Sequence, residues 1–276
     1  MTRDAPEPRI VLRPRTFLGS IDLALRYLAL HRRTFAIGAV ATVPLAGLPA
    51  LALALGLSIA WGAAAALFLL PWVEHATLLV GASHVLGGTV TWRAAAARCL
   101  RRPLVQVASG VGSWLPVHLI LLSSAQDMFL GLGVLLALVW PGATSLAVFL
   151  PHVLLLENQC VDTASGRCGD LLRGRRGRAF GLVLLGGAAR LAFVAAALTS
   201  CTFIAEVLLQ LGSPGSLWES PLLWVVASLA FCVAGVALAV VRLMEYVDAR
   251  TELEGWDLQV RFRRLAARPE GERWAA

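Results

Sequence analysis

The chain has 276 residues, of which 58% are hydrophobic and only 15% charged, and its mean hydropathy is +0.74. A water-soluble domain carries about 25% charged residues, so these residues cannot supply the polar shell that a soluble domain of this size needs. The net charge of +7 reads as the basic face of an integral membrane protein rather than a nucleic-acid surface, because the arginines sit in short connections between apolar runs.

All 24 basic residues are arginine, and the chain has a single asparagine, Asn158. This bias, with many Ala, Gly and Leu, suggests a GC-rich bacterial source. Physically, the absence of lysine removes P-loop, Schiff-base and lysine general-base chemistry. The five cysteines include no Cys-x-x-Cys pair, so neither a disulfide framework nor a zinc site is expected.

Residues 1–33 form a basic N-terminal segment with seven arginines. From Thr16 to Arg33 the pattern predicts an in-plane amphipathic helix. Phe17, Ile21, Ala24, Leu25 and Leu28 are expected on its apolar face, with Arg15, Asp22, Arg26 and Arg33 opposite. No short apolar core with a small-residue cleavage site is read there. Residues 34–246 then form a membrane domain. A spanning helix needs about 20 mostly apolar residues, and six runs qualify: Thr34 to Leu57, Ile59 to His84, Leu104 to Leu122, Met128 to Leu156, Ala179 to Leu211 and Pro221 to Tyr246. The predicted fold class is therefore all-α: a polytopic membrane bundle of about six helices with short amphipathic helices beside it.

Arg93, Arg98, Arg101 and Arg102 fall in the second connection, and Arg167, Arg173, Arg175, Arg176 and Arg178 in the fourth. The first, third and fifth connections have none; their charges are Asp127, Glu206 and Glu219. The positive-inside rule then places both termini in the cytoplasm of a bacterial inner membrane. The even number of spans agrees. Residues 247–276 form a basic C-terminal segment. Its run from Tyr246 to Leu258 is expected to fold back on the span ends, pairing its acids with Arg101 or Arg175.

Charges inside spans are costly, and two stand out. Glu74 lies ten residues before the basic end of the second span, and Arg190 eleven residues after the basic start of the fifth. At 1.5 Å per residue both lie about 15–17 Å from the same face, which predicts an ion pair. It can serve as a substrate- or proton-binding pair or as an interhelical tie. His75, His118 and His152 are further intramembrane candidates, for proton relay or hydrogen bonding. Pro44, Pro49, Pro71, Pro116, Pro141 and Pro151 are expected to bend their helices. Gly177 and Gly181 form a GxxxG at the start of the fifth span. No catalytic motif is found, so no catalytic residue, metal or cofactor is expected. Arg98, Arg101, Arg102, Arg173, Arg175 and Arg176 are candidate contacts for anionic lipid headgroups.

Three stretches carry a resemblance. They are the helix Thr16–Tyr27 feeding the first span, the run from Trp140-Pro141-Gly142 through Glu157 to Leu171-Leu172-Arg173-Gly174, and the end Tyr246-Val-Asp248-Ala-Arg250-Thr-Glu-Leu-Glu254-Gly255-Trp256-Asp257. Together they resemble bacterial six-helix membrane proteins similar to the membrane domain of glycerophosphoryl diester phosphodiesterase. Where that group has an Ala-rich helix after the position of Glu157, this chain has Gly166, Gly169, Gly174 and Gly177, which weaken a helix. No counterpart of the soluble catalytic barrel is expected, so the resemblance implies architecture and no activity. The expected function is a non-enzymatic assembly, scaffold or lipid-organising component, with membrane lipids and a further membrane protein as partners and no nucleic acid. The alternative is a small transporter or permease using Glu74 and Arg190.

Overall fold

The computed structural model describes residues 15–86, 88–109, 140–142, 144–145, 148–208, 210 and 220–255. These residues are helical, with no strand among them. Four helices are long and apolar enough to cross a membrane: Arg32–Ala54, Ile59–Val85, Arg176–Glu206 and Pro221–Glu254. They correspond to the first, second, fifth and sixth predicted spans. The third predicted span and most of the fourth lie outside the described residues, as do Asp127 and His118.

Helix α1 (Phe17–Leu30) begins at Thr16, whose hydroxyl accepts the Gly19 N–H at 3.2 Å, an ordinary N-cap. Its buried stripe is Ser20, Ala24 and Tyr27, while Leu18 and Leu25 are exposed. The inward face is thus rotated from the expected one. The Tyr27 hydroxyl, which donates to the Gly81 carbonyl at 3.2 Å inside the bundle, fixes that rotation.

The first long helix is built in three pieces, α2 (Arg32–Ala41), α3 (Val43–Ala46) and α4 (Leu48–Ala54). The breaks fall at Thr42 and Gly47, just ahead of Pro44 and Pro49, where a proline removes one backbone donor and crowds the preceding turn. At the end of α4, Gly56 adopts φ 75°, and the next amide, Leu57 N–H, returns to the Ala52 carbonyl at 2.9 Å. This is a left-handed helix stop that glycine accepts without strain. It reverses the chain into α5 (Ile59–Val85). Helices α4 and α5 cross so closely that a Cβ on Gly62 would lie 2.3 Å from the Leu48 carbonyl oxygen. Pro71 lies inside α5, which continues through it.

Helix α6 (Trp92–Leu100) packs Ala95 and Cys99 onto α5, and its Trp92 indole donates to the Thr34 carbonyl at 3.0 Å. A helical segment at 103–109 follows. Helix α7 (Leu150–Leu156) precedes α8 (Val161–Leu171). The glycines at 166 and 169 do not prevent α8, because Ala164, Cys168 and Leu171 form a buried i, i+4, i+7 stripe in the main core. Packing outweighs propensity there.

Helix α9 (Arg176–Phe203) runs into a π-turn at Ile204–Leu208. Helix α10 (Pro221–Glu254) has 34 residues, about 51 Å at 1.5 Å per residue. It does not end at Tyr246 or fold back. It continues to Gly255, and Tyr246, Val247, Asp248, Ala249 and Thr251 are all buried. Helix α10 lies parallel to α5, with Gly81 against Leu243 and Glu74 at Gly235, and antiparallel to α9, with Arg175 against Asp248 and Gly186 against Leu238. Helix α5 is the inner element and α9 the outer one. Two thirds of the apolar stretch of α5 is buried, against 17% for α9. Leu184, Leu191 and Phe193 of α9 face outward.

Candidate functional site

Glu74 and Arg190 meet, as the matched depth requires. Arg190 Nη2 donates to Glu74 Oε1, and the two side chains are 1% and 7% exposed. A third charge joins them that the span count did not include: Arg242 Nη1 donates to Glu74 Oε2 at 3.2 Å. Arg242 comes from α10 well toward the arginine-rich end, yet it reaches inward. Helical side chains tilt toward their own N-terminus, which for α10 is the opposite end of the bundle. The Arg190 guanidinium also sits 4.9 Å from the Phe231 ring centre, a cation–π contact.

This cluster exists only because residue 235 is glycine. A Cβ there would lie 2.6 Å from Glu74 Oε1 and 3.1 Å from Arg190 Nη2. The helix backbone itself is the wall against which the ion pair closes.

His75, beside Glu74, makes a separate bond. Its Nδ1 lies 2.6 Å from Gln106 Oε1, so the ring donates there. The Gln106 amide nitrogen has no partner although the residue is fully buried. His152 is buried too. It stacks on Tyr246 with ring centres 5.1 Å apart, and neither ring nitrogen has a hydrogen-bond partner. His118 falls outside the described residues.

A second set of charges joins the arginine-rich ends of the helices. Asp248, 1% exposed, accepts from the Arg15 backbone N–H at 2.7 Å, from Arg175 at 3.0 Å and from Arg178 at 3.3 Å. Arg175 also pairs with Glu252. Nearby, Glu157 accepts from the Tyr246 hydroxyl at 2.6 Å, from Arg250 at 3.2 Å and from Arg167 at 3.2 Å. Glu157, Tyr246 and Arg250 border a cavity of about 370 Å³ floored by Val85, Leu156, Leu243 and Val247. The acids of the α10 end thus do pair with Arg175, but from a continuous helix and not a folded-back tail. Arg101 is not among their partners.

The arginines expected to face lipid divide into two groups. Arg102 turns inward, donating to the Leu154 carbonyl and to Asn158 Oδ1, and Arg175 is consumed by Asp248 and Glu252. Arg98, Arg101, Arg173 and Arg176 are exposed, with no ion pair among the described residues. The GxxxG at Gly177 and Gly181 seats no neighbouring span: Gly181 meets only the Phe17 ring of α1 at 3.9 Å, and Gly177 faces open space. The five cysteines are free. Burial pushes the Cys99 thiol up to about 11 and raises Cys168 as well, so both are inert thiols rather than ligands. No group of three or more metal-ligating side chains occurs among the described residues.

Arg242 and Gln106 were absent from the sequence-derived site. Arg242 was visible as the one arginine inside the sixth apolar run, but the run places it near a helix end, and only the tilt of α10 shows that it turns inward. Gln106 carried no signal at all. Comparisons with protein-family models, with curated proteins and with solved structures found no match to this chain.

Proposed function

We propose that this chain is a non-enzymatic, six-span protein of a bacterial inner membrane, with both termini in the cytoplasm, that organises anionic lipid at its cytoplasmic face. The observation that carries the reading is the division among its arginines. Those within the bundle or at its helix joints are held by carboxylates or carbonyls, whereas Arg98, Arg101, Arg173 and Arg176 stand exposed at one end. Each exposed arginine near an anionic surface contributes roughly 1 kcal/mol of attraction. The same face offers a docking place for a membrane-protein partner. The resemblance to the membrane domain of glycerophosphoryl diester phosphodiesterase fits this architecture and brings no catalytic group with it.

Transport through Glu74 and Arg190 is the second reading, and Gly235 weighs against it. A substrate entering between the two charges would have to part a carboxylate and a guanidinium already packed on backbone.

Reconstitution in vesicles containing labelled phosphatidylglycerol tests both. The proposal expects anionic lipid to be enriched around the wild-type protein. That enrichment should fall when Arg98, Arg101, Arg173 and Arg176 are replaced together by Gln, with no ion flux above protein-free vesicles. Equal enrichment in both proteins, or flux abolished by Glu74→Gln, overturns it.

A further inference from the structure

The charges inside the bundle do not balance. Glu74 supplies one carboxylate, while Arg190 and Arg242 supply two guanidiniums, and arginine stays charged in proteins. No other acid among the described residues faces the cluster. Glu245, three residues beyond Arg242, is buried within reach of Arg175, Arg178 and Asp248 instead. One positive charge is left over in apolar surroundings, where an uncompensated ion is costly.

The unused hydrogen-bonding groups lie on the same side. Arg242 gives Nη1 to Glu74 and remains 29% exposed. Gln106, bound to His75 through its oxygen, has a free amide nitrogen in a fully buried position. His152, 2% exposed, has two unpartnered ring nitrogens. It packs on Tyr246, one helical turn from Arg242, and lies close enough to Arg242 and His75 to feel their charge. A guanidinium fork, an amide NH2 and an imidazole N–H make a set rich in donors with a surplus positive charge. Such a set excludes a cation and suits an anion with several acceptor oxygens.

We propose that Arg242, Gln106 and His152 form a binding site for a phosphate-type oxyanion inside the bundle. The bound anion neutralises the surplus charge, with Arg242 gripping two oxygens through its planar fork while Gln106 and His152 donate to the others. The phosphate comes either from a lipid headgroup or from free phosphate. Arg242 lies six residues, about 9 Å along α10, inside the layer where Asp248 meets Arg175.

Thermal unfolding of the full chain tests this in two arms. In detergent, inorganic phosphate is titrated against chloride at equal ionic strength. In nanodiscs, a zwitterionic lipid is compared with the same lipid containing phosphatidylglycerol. Arg242→Gln leaves the Glu74–Arg190 pair neutral, so it should fold and, without phosphate, unfold no earlier than wild type. The wild-type protein should gain stability saturably from at least one source, and Arg242→Gln from neither. Gln106→Leu and His152→Phe, which keep every charge of the cluster, should weaken the response about tenfold, one lost charge-assisted hydrogen bond. A response to phosphatidylglycerol alone assigns the site to a lipid phosphodiester, and a response to inorganic phosphate assigns it to the free ion. Chloride acting as well as phosphate, an equal response in Arg242→Gln, undiminished binding in Gln106→Leu and His152→Phe, or no response to either source overturns the proposal. Replacing Arg98, Arg101, Arg173 and Arg176 should leave the response intact, so this site and the surface lipid reading fail separately.

Discussion

The two charge clusters use the same chemistry under opposite conditions. Around Glu74 the chain brings two arginines to one carboxylate between three apolar helices, and the backbone at Gly235 closes the space. Around Asp248 the arginines and acids lie at the helix ends, where Glu252 is 49% exposed and Arg178 26%. Inside the bundle an unmatched charge has no water to turn to, so the count of charges decides the energetics. At the helix ends an unmatched charge can rotate into solvent, so only the most buried member, Asp248, carries much weight.

Glu74→Gln should give the largest effect, because it strands two guanidiniums at once. We expect a loss on the order of 3–5 kcal/mol in detergent unfolding. Arg190→Met should cost clearly less, since Glu74 keeps Arg242 and the pair stays neutral. Equal losses for these two variants would break the three-charge account and leave a simple pair.

At the helix ends, Asp248→Asn removes an acceptor shared by Arg15 N–H, Arg175 and Arg178. A loss of about 1.5–3 kcal/mol is expected, the range for hydrogen bonds to charged groups. A loss as large as that of Glu74→Gln would erase the contrast between the two regions.

Gly235→Ala tests whether the interior cluster is closed by backbone. Its Cβ would meet Glu74 Oε1 at 2.6 Å, and forcing the carboxylate aside should cost about 1–3 kcal/mol. Unchanged melting would show that the carboxylate has room to move. Glu252→Gln, in contrast, should cost only about 0–1 kcal/mol because half its side chain is exposed. A larger drop would mean that the outer members of the end cluster matter as much as Asp248.

The smallest effect concerns Cys99. The folded protein holds the proton on this thiol to about 11, against 9.0 for the free group. Its contribution to stability is therefore full below pH 9 and declines as the pH rises toward 11. A thiol reagent at pH 8 should modify exposed Cys160 first and spare Cys99 until unfolding; equal labelling rates would contradict its burial.

Much of this architecture was legible because one number governs it. A helix rises 1.5 Å per residue whatever its neighbours, so apolar length marked the four long helices, and the residue count from each helix end matched Glu74 to Arg190. The breaks ahead of Pro44 and Pro49 were legible for a similar reason, since proline lacks its donor in any context.

Rotation about a helix axis has no such fixed value. Each residue turns the helix by about 100°, and the phase is set by whichever neighbours pack best. For that reason Leu25 was assigned to the inner face of α1 when Tyr27 takes it, and Arg102 and Arg175 were assigned to the lipid face when both turn inward. The glycines of α8 misled in the same manner: propensity is a local cost, and the stripe Ala164, Cys168 and Leu171 outweighs it only once a core exists to receive it. The sequence by itself determined that a carboxylate and a guanidinium share a depth in the bundle. Only the tertiary structure decided that Arg242 joins them, because its direction depends on the tilt and rotation of α10 against α5, which no count of residues along one chain contains.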